Sequence, residues 1–310
     1  MGYIVNKMTS LSARGKPSHV AYADESQYNV GRYRGVALVT MPADQAVTVQ
    51  QELQRLLRES DLTEFKWKQL NGAKQRFAAV KMLRCAVRAA VAGTARVDAL
   101  TWDTWDSRHD LRGRDDIANL HRMYYHLFRN VLRERWPDDS TWALYPDRNT
   151  AMEWVRVAEF LGRASSRVEV SRDLFTTDGL GLVLRRDFRV LELVPRDSHE
   201  EPLVQLADLF VGMAVYSRTH YSRYELWQRC SGPQRPLFEE EGPASGRISS
   251  ADRERCQVLA MLDALCKRRR LGVSLRTNRG LRTPGPKNPV NFWWYEPQSE
   301  ADKAPVKRKP

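Results

Sequence analysis

An α/β sheet covered by helices on both faces is the architecture this sequence predicts, and three observations predict it. Strand-like and helical runs alternate along most of the chain. The first two strand-like runs, Val20 to Asp24 and Tyr33 to Val39, are separated by a turn-rich segment and read as a hairpin. A late helix, Pro202 to Tyr216, is so apolar that it has to be buried. With 310 residues and 42% apolar content, the chain has enough material for one substantial core and an appended smaller unit.

In order, residues 1–17 read as a flexible leader. Gln45 to Arg58 is helical by period, with Val49, Leu53, Leu56 and Leu57 on one side. SDLTEFKWKQL is irregular. Lys74 to Ala92 is a second helix, closed by Gly93 where a left-handed cap is expected. Arg96 to Trp102 is a strand. Asp115 to Arg135 repeats Ile117, Leu120, Tyr124, Leu127 and Val131 at helical spacing, and Pro137 stops it. Thr141 to Tyr145 is a short strand, Thr150 to Arg163 a helix, and Arg167 to Val170 and Phe188 to Val194 are strands. Composition shifts after Arg218 into breaker-rich SGPQRP and EEEGPASG. A helix capped by Ser249 or Ser250 follows, then a Pro-rich basic tail. The reading is thus a domain over 18–217 and a basic C-terminal extension over 218–310, in which Trp293, Trp294 and Tyr295 dock the extension onto the core.

Net charge is +12 with a pI near 9.7, which favours a polyanionic partner, nucleic acid ahead of membrane. No apolar run reaches membrane-spanning length. Cys85, Cys230, Cys256 and Cys266 show no CxxC or metal-like spacing, so buried thiols in a reducing, cytoplasmic setting are expected. His109, His121 and His126 lack HExxH spacing, and neither GxxxxGK[ST] nor GxGxxG occurs, which argues against zinc, NTPase and dinucleotide chemistry. KRRR at Lys267 to Arg270 either grips phosphates or complements a helix C-terminus.

Four acids stand out. Asp24 ends the Val20–Tyr22–Asp24 face of a strand. Asp208 lies on the apolar late helix beside Gln205, and a carboxylate there costs several kcal/mol unless something compensates it. Asp147 follows the β-rich TWALYP, and open α/β sheets collect ligands at the carboxyl ends of their strands. Glu64 and Lys66 alternate with Phe65 and Trp67, giving one charged and one apolar side; taken alone Glu64 reads as part of a surface ion pair. Together these acids suggest a Mg²⁺ or Mn²⁺ site. Two such ions about 4 Å apart activate a water and stabilise the leaving oxygen of a phosphodiester.

AYADES, EFKWKQL and PLVQLADLFVG resemble the three motifs of the domain of unknown function 3800 family, over about His19 to Tyr216. The family is regarded as ribonuclease H-like, which implies a mixed sheet with helices on both faces. The resemblance implies a carboxylate quartet of Asp24, Glu64, Asp147 and Asp208, with Glu25 as a substitute for Glu64, and a mobile histidine at His199. Here Gln27 stands where the family usually has glycine. The implied activity is a divalent-metal-dependent nuclease, with Lys66 on a phosphate and Gln205 orienting Asp208 or substrate, in phage defence or mobile-element biology. The alternative is a catalytically silent nucleic-acid-binding or protein-interaction subunit on the same fold.

Overall fold

The computed structural model describes residues 15–27, 29–106, 115–165, 169–170, 182–183, 188–231 and 248–296. Residues 1–14 of the expected leader over 1–17, residues 232–247 of the linkers and residues 297–310 of the tail lie outside them.

Six strands form the main sheet: β1 (His19–Ser26), β2 (Tyr33–Pro42), β3 (Arg96–Asp103), β4 (Trp142–Pro146), β7 (Val190–Leu193) and β8 (Val290–Trp294). Their order is β7-β4-β1-β2-β3-β8. β1 and β2 pair antiparallel with Asp24 opposite Ala37, and β2 and β3 pair antiparallel. β4 lies parallel to β1, β7 parallel to β4, and β8 parallel to β3. β5 (Glu169–Val170) and β6 (Leu182–Val183) form a separate antiparallel pair.

The helices are α1 (Ala43–Glu59), α2 (Ala73–Val91), α3 (Asp116–Glu134), α4 (Trp154–Ser165), α5 (Pro202–Thr219), α6 (Tyr221–Ser231) and α7 (Ser250–Arg268). A short 3-10 turn, Trp67–Gln69, precedes α2. Local chemistry explains several ends. The Asp115 carboxylate accepts from Ala118 N at 2.8 Å, and Ser249 Oγ accepts from Asp252 N at 3.0 Å. Gly93 takes φ +72 just beyond α2, a backbone region that disfavours side chains.

Strand parity divides the core. Val20 and Tyr22 of β1 face the core built from α1, α2, α5 and α7, whereas Ala21 and Ala23 face α3 and α4. This is a mixed α/β sheet with helices on both faces. Asp24 continues the Val20–Tyr22 parity and points to the α5 side; Glu25 has the opposite parity. α5 is buried nearly all round, as its composition demands. It lies so close to the sheet that a Cβ on Gly35 would meet Val211 and Val215 at 2.9 Å.

Two features depart from the sequence reading. Tyr221–Ser231 is helical, where only a change of composition was legible. The described residues beyond 218 are also not simply appended: α7 packs on α2, and β8 adds an edge strand to the sheet. The reason is a set of long-range contacts. Arg96 donates to the carbonyls of Pro286, Lys287 and Asn288 at 3.0–3.1 Å, Asn291 Nδ2 donates to Asp98 at 3.1 Å, and Phe292 stacks on Phe210 with centroids 6.1 Å apart. Burying Phe292 alone is worth roughly 1.5–3 kcal/mol, enough to outweigh the breaker-rich local sequence.

Candidate active site at the ends of β1 and β4

β1 and β4 run parallel, so both deliver their carboxyl ends to one edge of the sheet. Asp147 N donates to Ala23 O at 2.8 Å, which places Asp147 against the end of β1 beside Asp24. α5 crosses the same region and brings Asp208. The segment 64–67 closes over it, because Trp67 N donates to Asp208 Oδ2 at 2.6 Å and Phe65 N donates to Gln205 Oε1 at 2.8 Å. Gln205 Nε2 in turn donates to Ser198 O at 2.7 Å. The fully buried Gln205 therefore fastens two loops together and leaves Asp208 to its own partner.

That clamp needs a close approach. A Cβ on Gly212, one turn beyond Asp208, would stand 2.2 Å from the Trp67 ring. Glycine is required there because the Trp67 side chain occupies the space a Cβ would fill.

Lys66 is held between the clamped residues. Its ammonium donates to Ser198 Oγ at 2.5 Å and lies 3.2 Å from Glu64 Oε1. Ser198 Oγ donates to the same Glu64 oxygen at 3.2 Å. Exposed His199 stands 3.7 Å from the other Glu64 oxygen. On the opposite parity, Glu25 accepts from Tyr124 Oη of α3 and from Asn149 Nδ2.

The electrostatics identify which groups share one field. Burial pushes the Asp24 carboxyl well above the usual range; the like charges of Asp208, Glu25 and Asp147 push the same way, and Lys66 opposes them. Burial likewise pushes Asp208 up to about 6, opposed by the Trp67 N–H and by Lys66. Burial raises Glu25, while its bonds from Tyr124 and Asn149 restrain it. Burial alone would lower Lys66, but Asp24, Asp147, Glu64 and Asp208 outweigh it and hold the ammonium above its ordinary value.

Asp24, Asp147 and Asp208 thus meet, with Lys66 among them. Glu25 is the fourth acid of the group, acting on Asp24 alongside Asp208 and Asp147, whereas Glu64 is engaged with Lys66, Ser198 and His199. Tyr124, Asn149 and Ser198 carried no signal in the sequence: the tyrosine read as a core position of α3, and the other two as loop residues. Only the pairing of distant loops reveals their roles.

No group of three or more His, Cys, Asp or Glu side chains is arranged as a ready-made metal site among the described residues. The donor chemistry nevertheless fits a hard divalent cation: several carboxylates, partly withdrawn from water, face a single ammonium.

No family model matches the chain. Uncharacterized protein ORF2′ of Methanothermobacter thermautotrophicus is 37% identical over 294 residues, covering 92% of this chain and 97% of that protein. Uncharacterized protein ORF2 of the same organism is 36% identical over 294 residues with the same coverage. The chain belongs to the ORF2 family. The likeness spans nearly the whole length of both ORF2 proteins, so it includes residues on both sides of position 218. Among solved structures, a chain of the PCNA:RNase HII complex from Archaeoglobus fulgidus aligns with a TM-score of 0.38 and 14% identity, over 66% of this chain and 76% of that one. No helix among the described residues is long and apolar enough to cross a membrane.

Proposed function

We propose that this ORF2-family protein is a divalent-metal-dependent nuclease that hydrolyses phosphodiester bonds of DNA or RNA. The observation that carries the reading is the gathering of Asp24, Asp147 and Asp208 from β1, β4 and α5, each residue separated from the others by many tens of positions. Buried like charges are costly, and the raised proton affinities of Asp24 and Asp208 support a site selected for chemistry rather than stability. The motif resemblance to the domain of unknown function 3800 family supports the same reading, as does the net charge of +12.

Asp24, Asp147 and Asp208, with Glu25 or Glu64 as a fourth, would hold Mg²⁺ or Mn²⁺. Such ions supply a polarised water and charge stabilisation at the leaving oxygen. The chain itself does the rest. Lys66, charged and fixed by Ser198 and Glu64, is placed to contact a non-bridging phosphate oxygen. Gln205 fixes the loop that carries Lys66, and the Trp67 N–H fixes the Asp208 carboxylate. His199, exposed beside Glu64, is free to meet substrate from solvent.

The second reading, a catalytically silent nucleic-acid-binding or protein-interaction subunit, is favoured by one observation. Lys66 already supplies a resident cation to the acids. Cleavage of DNA, RNA and hybrid substrates with Mn²⁺, by wild type, Asp24→Asn and Asp208→Asn, separates the two. Each substitution is expected to lower cleavage by about 10²-fold or more. Binding without cutting by wild type assigns the chain to the second reading, and cutting that survives both substitutions removes this site from the chemistry.

A further inference from the structure

We propose that the arginine-lined cleft between the C-terminal halves of α2 and α7 is a second binding surface, for the phosphate backbone of a polynucleotide. It rests on the nucleic-acid reading above and adds a surface remote from the carboxylates. The two helices run side by side in one direction. Near their starts Ser250 Oγ donates to Asn71 O at 3.2 Å, and Arg76 lies 3.2 Å from Glu254. Near their ends Arg84, Arg88, Arg268 and Arg269 edge a cleft of about 370 Å³, with Val87 and Leu265 in its floor.

The charge there exceeds what structure needs. Arg88 lies 3.4 Å from Glu52, and neighbouring Lys267 pairs with Asp263. Arg84, Arg268 and Arg269 are exposed and have no acidic partner among the described residues. A helix C-terminus is equivalent to about half a negative charge, so two adjacent ends offset about one of these cations. The surplus lies along one cleft, and guanidinium forks match phosphate oxygens in geometry as well as charge. The KRRR run therefore continues a surface that α2 begins, which complementing a single helix end does not explain.

The position suits a long ligand. α2 begins just beyond the turn that clamps Asp208, and at 1.5 Å per residue Arg84 and Arg88 stand about 17 and 22 Å along it from Ala73. That span corresponds to about five or six base-pair rises. A substrate seated at the carboxylates would have to extend that far to reach the cleft.

The test is binding of a fluorescent duplex of about 30 base pairs, as DNA and as RNA, in EDTA between about 50 and 200 mM salt. The proteins are wild type, the triple variant Arg84→Ala/Arg268→Ala/Arg269→Ala, and a control with equal charge removed elsewhere, Arg58→Ala/Arg229→Ala/Arg279→Ala. The slope of log K against log salt should fall by about 2–3 in the first triple variant and by less than 1 in the control. Equal slopes for the two variants overturn the cleft. Competition by polyglutamate as effective as by unlabelled duplex reassigns it to an acidic protein. Wild type that binds no duplex defeats the nucleic-acid reading and the cleft together, whereas binding through the cleft with no Mn²⁺-dependent cutting leaves the cleft standing and defeats only the nuclease.

Discussion

Two aspartates are buried on opposite faces of the same sheet, and their surroundings differ in charge stoichiometry. Asp98 on β3 is fully buried on the α3 side, and its Oδ1 takes Arg135 Nη1, Asn291 Nδ2 at 3.1 Å and Arg96 Nη2 at 3.5 Å. One carboxylate meets two guanidiniums, one of which reaches across to three carbonyls of the C-terminal segment. Asp24 on β1 is buried on the α5 side, with three further carboxylates and a single ammonium acting on it. The first cluster has its carboxylate charge compensated by cations and fastens the segment before β8 to the sheet. The second carries excess negative charge, which marks a site built to receive something positive. Burial of an acid alone distinguishes neither; the count of neighbouring charges does.

The largest expected effect breaks the charge-compensated side. Asp98→Ala leaves Arg135 buried without its carboxylate and should cost about 3–5 kcal/mol, read by urea denaturation. Asp24→Asn should leave stability unchanged or raise it, because it removes a repelled charge. A loss of similar size in both variants would erase the contrast. Gln205→Leu keeps the apolar bulk of α5 but abandons Phe65 N–H and Ser198 C=O, and should cost about 1–3 kcal/mol together with weaker engagement of substrate by Lys66.

The pH response sharpens the same contrast. An acid whose folded-state pKa is raised binds protons in the folded state that the unfolded chain has released, so its contribution favours folding at low pH and declines as pH rises. For Asp208 the decline runs from about 3.8 to about 6. In metal-free buffer Asp208→Asn should flatten the fall of the thermal midpoint across that window, and an unaltered profile would remove Asp208 from the coupled set. The smallest effect concerns the turn after β1. Gln27 sits at φ +58, in the left-handed region that costs a side-chain-bearing residue about 1–2 kcal/mol. Gln27→Gly should add about 1 kcal/mol or less after the entropy of glycine is counted, measured by chemical denaturation.

Much of this was legible locally. Asp24 announced its face because side chains alternate along a strand, and Asp208 stood out because the rest of α5 is apolar. The Ser249 cap and the left-handed Gly93 followed from end chemistry. Gln205 was expected to orient Asp208 or substrate, whereas its side chain bonds Phe65 N–H and Ser198 C=O, which lie 140 and 7 residues away in loops without periodic signal. Glu25 against Glu64 was undecidable, since Tyr124 and Asn149, which hold Glu25, come from other elements.

The sequence by itself determined most of the elements before residue 218, the parity of Asp24 and the presence of an acid on a largely buried helix, because hydrophobic period and turn chemistry act over a few residues. Tertiary structure alone decided that β4 lies beside β1, that 64–67 closes over α5, and that a breaker-rich tail supplies an edge strand. Those outcomes depend on sheet order and on packing between residues more than a hundred positions apart, where no local pattern reaches.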